Sequence, residues 1–319
     1  MALPVWRKLI YAGVVTGAVL AAAELAARPV LRSVGYVSIP ADAVAAHIAN
    51  DAMAFHPQLG WVRHDLPNPF LGINEQGFRY GPVQREKPAG TWRAFALGDS
   101  QTYGAGVQAE ESWPAQAEAT LRGLSDPGRT LQLINAGISG YTSLQAKRLI
   151  ELTLLDYQPD LIIVDCYPED SLRDDLSSSH LGGSLLDRLT FHSRLIWVLR
   201  FGLDRLRPSA PQGMHPQQGR HDPRPRLGNH ALIQELGARE GFEVLFVDYP
   251  FMEGDQITCL APADQLPPGS LVAPACAAVQ GSGLPAAELF LDANHMSPRG
   301  CALAGQAVGR AIADLGLAD

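Results

Sequence analysis

Two short stretches carry residue types that could together break an acyl bond. Gly98-Asp99-Ser100 is followed by Thr102, Gly104 and Gly106, and Asp292-Ala293-Asn294-His295 lies close to the C-terminal end. A serine hydroxyl is a poor nucleophile at neutral pH and needs an imidazole to accept its proton. That imidazole needs a carboxylate to fix its tautomer. An aspartate three residues before a histidine, on a turn, can supply the carboxylate locally. Small residues around Ser100 permit a tight turn that exposes the hydroxyl and frees backbone N–H groups for a developing anion. Each pattern alone is common in proteins, so its weight depends on the elements that place it.

Those elements are legible as alternating apolar runs and helical stretches. Trp92 to Leu97, Leu131 to Ile134, Leu161 to Val164 and Phe242 to Val247 read as short buried strands. Trp113 to Leu124, Ser143 to Leu155 and His230 to Glu240 read as helices between them. A last helix is predicted from Ser297-Pro298 to about Leu315, with serine as N-cap and proline at the first helical position. Alternation of this kind predicts an α/β fold, a doubly wound parallel sheet with flanking helices. Ser100 then stands at the carboxyl end of the leading strand, where open α/β sheets place their ligands. The Asp292–His295 stretch follows the short run Leu289 to Leu291 at the far end of the same domain.

The chain has 319 residues, 46% hydrophobic and 18% charged, which suits a packed globular protein and excludes global disorder. A formal net charge of −8 leaves no basic footprint for nucleic acid. Four cysteines are too few for a disulfide-built scaffold. Arg7 and Lys8 precede the uncharged run Leu9 to Ala23, and Glu24 and Leu25 to Ala27 follow. This predicts an N-terminal membrane segment over 1–31, as an uncleaved anchor, with a cleaved secretory signal or a buried core helix as alternatives. The membrane is then a partner, and the catalytic domain lies outside the cytoplasm. Residues 32–91, poor in periodicity, read as a lead-in that packs on a main domain spanning 92–319. The alternation breaks over 171–228. There, Leu185 to Leu206 reads as a basic amphipathic helix, either packed on its own domain or facing a membrane as a lid. Arg207 to Arg226 reads as a loop.

Taken together, these blocks resemble the GDSL/SGNH hydrolase family, over roughly residues 92 to 317. The first family block resembles Phe95 to Val107, the second Ile134-Asn135-Ala136-Gly137, and the last Asp292 to His295. Asn74-Glu75-Gln76-Gly77-Phe78-Arg79 also looks like membrane-tethered bacterial members. The resemblance implies an SGNH-hydrolase-like, flavodoxin-like fold and a catalytic triad of Ser100, Asp292 and His295. It further implies oxyanion donors from the N–H groups of Ser100 and Gly137. The third family block carries Gly-x-Asn-Asp, whose Asn is a further donor; here Tyr167-Pro168-Glu169-Asp170 stands in its place. An ionised Glu169 only accepts hydrogen bonds, and one lost oxyanion donor costs about 2.7–4 kcal/mol. A protonated Glu169 could donate; otherwise another group fills the place, or activity is low.

The implied reaction is hydrolysis or transfer of a short acyl group, acetyl foremost, from an ester, with acylated cell-envelope carbohydrate as a substrate class. The alternatives are a catalytically weak carbohydrate-binding or assembly protein and a membrane-active lipase. No cofactor is implied. His215, His221 and His230 lack ligand spacing, so no metal is expected. Cys259 and Cys276 flank a proline-rich loop and are expected to pair; Cys166 and Cys301 read as small buried residues.

Overall fold

A computed structural model describes residues 5–33, 53–56, 59–63, 66–165, 224–260 and 266–318. Glu169, Cys166, His215, His221 and the Leu185 to Leu206 segment lie outside the described residues.

The chain opens with α1 (Val5–Ser33) and the hairpin β1 (Met53–His56) and β2 (Gly60–Arg63). Next come β3 (Thr91–Gly98), the short helix α2 (Ser100–Tyr103), α3 (Trp113–Leu124), β4 (Thr130–Asn135), α4 (Ser143–Leu152) and β5 (Leu161–Asp165). After α5 (Arg224–Glu240) and β6 (Glu243–Val247), a hairpin pairs β7 (Tyr249–Glu253) with β8 (Gln256–Leu260). The chain closes with β9 (Leu271–Ala273), α6 (Ala275–Gln280), α7 (Ala286–Leu289) and α8 (Pro298–Asp314).

Five parallel strands form the sheet in the order β4-β3-β5-β6-β9. Side chains alternate across it, so each strand feeds two cores. Phe95, Leu97, Ile134, Ile162, Val164 and Phe246 face Leu149 and Ile150 of α4 and Ile233 and Leu236 of α5. Ala94, Ala96, Leu133, Ile163 and Leu245 face Trp113, Ala117 and Leu121 of α3 and Ala304, Val308 and Ile312 of α8. The chain leaves β3 for β4 on one side and returns to β5 on the other. A crevice therefore opens at the carboxyl ends of β3 and β5, and Ser100 stands there. Ser297 caps α8 by accepting from the Gly300 N–H, with Pro298 at its first position.

The N-terminus requires a correction. Among the described residues no helix is long and apolar enough to cross a membrane. The uncharged run Leu9 to Ala23 has fifteen residues. At about 1.5 Å per residue it reaches about 22 Å, short of the ~30 Å hydrocarbon core. Extending it brings in Glu24, Arg28 and Arg32; an acidic or basic side chain toward the core's centre costs about 2.5–3.5 kcal/mol. The membrane anchor, the membrane as a partner, the membrane-tethered type and the extracytoplasmic location read from that anchor all fall with this finding. The side chains from Tyr11 to Ala22 are exposed, so the buried-core-helix alternative fails too.

Candidate active site

The Asp292–His295 turn is built from its own residues. Asp292 Oδ1 accepts from the backbone N–H groups of Asn294 and His295, both at 2.9 Å, which folds the four residues into a tight turn. The same carboxylate lies 2.9 Å (Oδ1) and 2.8 Å (Oδ2) from His295 Nδ1. Burial pushes the Asp292 carboxyl up. The hydrogen bond and charge attraction to His295, with the two backbone N–H bonds, outweigh that and hold it below its ordinary range. The carboxylate thus fixes a proton on Nδ1 and leaves Nε2 as an acceptor. The turn is held at its base by Leu291 N–H donating to His295 O at 2.7 Å, and by Met252 of β7 donating its N–H to Ala293 O at 2.8 Å.

His295 Nε2 lies 2.8 Å from Ser100 Oγ, across 195 residues of sequence. Fold and turn therefore bring Ser100, His295 and Asp292 into one continuous hydrogen-bonded line, with Ser100 partly exposed at the first residue of α2. That geometry can lower the barrier to attack on a carbonyl carbon, because the hydroxyl proton has an acceptor within reach.

The loop that carries Ser100 is held by distant residues. Asp99 caps α2, and the helix ends at Gly104 with φ +83°, a conformation that glycine adopts freely. Asn135, at the end of β4, donates from Nδ2 to Thr102 O at 2.8 Å. Thr102 Oγ1 donates to Asp165 Oδ2 at 3.0 Å. Burial pushes the Asp165 carboxyl up to about 7; the Thr102 bond opposes this and the nearby Asp248 carboxylate reinforces it. Arg79, in sequence only one residue of a family-like stretch, proves central to this loop. Its buried guanidinium donates to Leu71 O (2.9 Å), Tyr103 O (2.7 Å), Gly104 O (2.8 Å) and Val107 O (2.7 Å). Arg63 donates to Gly77 O and Gly137 O, each at 2.7 Å, and both guanidinium groups stack on the Tyr103 ring. Only the Asn74-Gly77 turn hints at this role: Asn74 Oδ1 accepts from the Gln76 and Phe78 N–H groups and so sets the direction of Arg79.

The expected oxyanion donors fare differently. Ser100 N–H makes no hydrogen bond among the described residues. Gly137 N–H is already committed to Asn135 Oδ1 at 3.0 Å, an asparagine turn that sequence could not reveal. The glycine there answers a packing demand instead, since a Cβ would lie 2.5 Å from Tyr103 N. Gly140, three residues on, has an N–H without a partner among the described residues. It lies two residues after Ile138, whose N–H donates to Gly98 O at 3.0 Å at the end of β3.

Cys259 and Cys276 are joined in a disulfide that ties β8 to α6. Asp248 lies beside them, but with both sulfurs bonded to each other no thiolate is available as a metal ligand. Cys301 is buried on α8.

The fold is that of an α/β protein with a five-stranded parallel sheet, and its class follows from the family it matches. The description of the GDSL-like Lipase/Acylhydrolase family matches residues 96–303. The chain belongs to that family, and it is an enzyme of the ester-bond hydrolase type. No curated protein sequence matches it. Similar solved structures include an acetylxylan esterase from Geobacillus stearothermophilus, 16% identical, covering 69% of this chain and 94% of that one at a TM-score of 0.45. TesA is 15% identical, covering 70% and 99% at 0.44. An alpha/beta hydrolase enzyme from the metagenome of Lake Arreo, Spain, is 17% identical, covering 72% and 96% at 0.44.

Proposed function

We propose that this chain is a serine esterase that hydrolyses a short acyl ester, acetyl foremost, or transfers its acyl group, through a covalent Ser100 intermediate. The observation that carries this reading is the unbroken line from Asp292 through His295 to Ser100 Oγ. Ser100 Oγ attacks the ester carbonyl while His295 Nε2 takes its proton, and Asp292 stabilises the imidazolium that results. The Ser100 and Gly140 N–H groups are the proposed donors to the developing oxyanion. Collapse expels the alcohol, which takes the proton from His295. Water, or an acceptor alcohol in the transfer case, then releases the acyl group by the reverse path. On this reading residues 92–319 form the catalytic domain, and the lead-in 32–91 contributes Arg63 and Arg79 to its scaffold.

Acylated carbohydrate is one substrate class to test; its cell-envelope setting rested on the location corrected above and is not carried forward. The lipase alternative rested on Leu185 to Leu206, outside the described residues, so no structural observation favours it. Turnover of p-nitrophenyl acetate, butyrate and palmitate, alongside acetate release from an acetylated oligosaccharide, tests the reading. Acetate ester should be turned over best and palmitate least. No turnover of any ester by the folded chain would favour a binding or assembly role.

A further inference from the structure

We propose that Gln101 is a positioning residue that sets the distance between the nucleophile and the base. This rests on the triad reading above. Gln101 directly follows Ser100, and its side chain is buried at 2% exposure. Its Nε2 donates to Pro250 O at 2.9 Å and to Asn294 O at 2.7 Å. Pro250 lies on β7, and Asn294 immediately precedes His295. One amide group therefore reaches from the nucleophile helix to both segments that flank the base.

The orientation of that amide is set by chemistry. Both partners are backbone carbonyls, so only the NH₂ end can face them. Gln101 Oε1 is buried and has no donor among the described residues. A residue placed there for packing alone would not need an amide. The family name spells Gly-Asp-Ser-Leu, whereas this chain reads Gly98-Asp99-Ser100-Gln101; leucine could fill the same space but donates nothing.

The backbone of Gln101 is fixed in turn, since its N–H donates to Asp99 Oδ1 at 2.8 Å. The base loop and β7 are already stitched together by Met252 N–H to Ala293 O and by the Tyr249 hydroxyl donating to Asn294 O at 3.4 Å. Gln101 joins that pair to α2. Neither the triad side chains nor the proposed oxyanion N–H groups bond to it. Its loss should therefore widen the Ser100–His295 separation without removing a reacting group, and a misplacement of about 1 Å can cost about 100-fold in rate.

Three variants of the full chain test this against p-nitrophenyl acetate: Gln101→Met, Gln101→Glu and, as a control, Ser100→Ala. Gln101→Met keeps the length and loses both donors. It should lose roughly ten- to 100-fold in kcat with KM within about twofold, and it should melt somewhat lower, because two backbone carbonyls lose a donor. Gln101→Glu should show a pH-dependent defect. Protonated, it can donate one bond; ionised, it faces two carbonyl oxygens. Its kcat relative to the unmodified chain should rise as pH falls. An inactive Ser100→Ala beside a Gln101→Met with full kcat would overturn the positioning role and leave the triad reading intact. An active Ser100→Ala would overturn the triad reading itself. Should Gln101→Met not fold, a flat pH ratio for Gln101→Glu overturns the proposal.

Discussion

The two arms of the proposed site are built on opposite plans. The acid–base arm is local: Asp292 shapes its own turn and orients His295 within four consecutive residues. The nucleophile arm is assembled from afar. Asn135, Asp165, Arg79, Pro250 and Asn294, from five different parts of the chain, all hold the residues just after Ser100. A histidine base needs one correct rotamer and tautomer, which a neighbouring carboxylate can impose. A serine needs its hydroxyl and its N–H aimed together, and that requires the backbone itself to be fixed. Changes within the local arm should therefore damage chemistry alone, while changes to the scaffold of the other arm should damage stability as well.

The largest separation of the two is expected on removing the reacting groups. Ser100→Ala and His295→Ala should each lose at least about 10⁴-fold in kcat while melting like the unmodified protein. Asp292→Asn should follow at about 10³- to 10⁴-fold, because asparagine no longer enforces the tautomer. A large fall in its melting temperature would show that the turn is part of the scaffold after all. Arg79→Met attacks the other arm. Four buried carbonyls each lose a donor, and unfolding free energy should drop by about 3–5 kcal/mol in urea titration. Arg79→Lys should recover little, because one ammonium cannot span four acceptors.

The last effect is one of pH and concerns Asp165 beneath the Ser100 loop. Its folded carboxyl titrates near 7 because of burial, while an unfolded aspartate titrates near 3.9. The folded state thus holds the proton more tightly. That contribution to stability is complete below the unfolded value and is lost as pH rises through about 7. Asp165→Asn does not titrate, so its melting temperature should fall less than that of the unmodified chain between pH 4 and 8. Parallel curves would contradict the assignment.

The same contrast explains what the sequence made legible. Short apolar runs marked four of the five sheet strands, and the helix Trp113–Leu124 was legible at its observed bounds. The fifth strand, Leu271–Ala273, is too short to show a period, and the β7–β8 hairpin lies within an irregular stretch. The start of α5 at Arg224 was hidden by Pro225 and Gly228, which read as loop. Asp292 and His295 were visible because their spacing is the interaction. Arg79 and Gln101 were not, because a side chain bonded to backbone carbonyls leaves no trace in the identity of its partner. Gly137 was visible as a glycine, but whether its N–H stays free depends on the Asn135 rotamer. The N-terminal segment misled because Arg7, Lys8 and an apolar run resemble an anchor, while the run stops at Glu24.

The most direct test of the triad reading is to treat the folded chain with a serine-reactive fluorophosphonate and map the adduct by peptide mass spectrometry. The account predicts one adduct, on Ser100, that disappears in Ser100→Ala and falls to background in His295→Ala. An adduct on another serine, or labelling of Ser100 that is unchanged when His295 is removed, would contradict it.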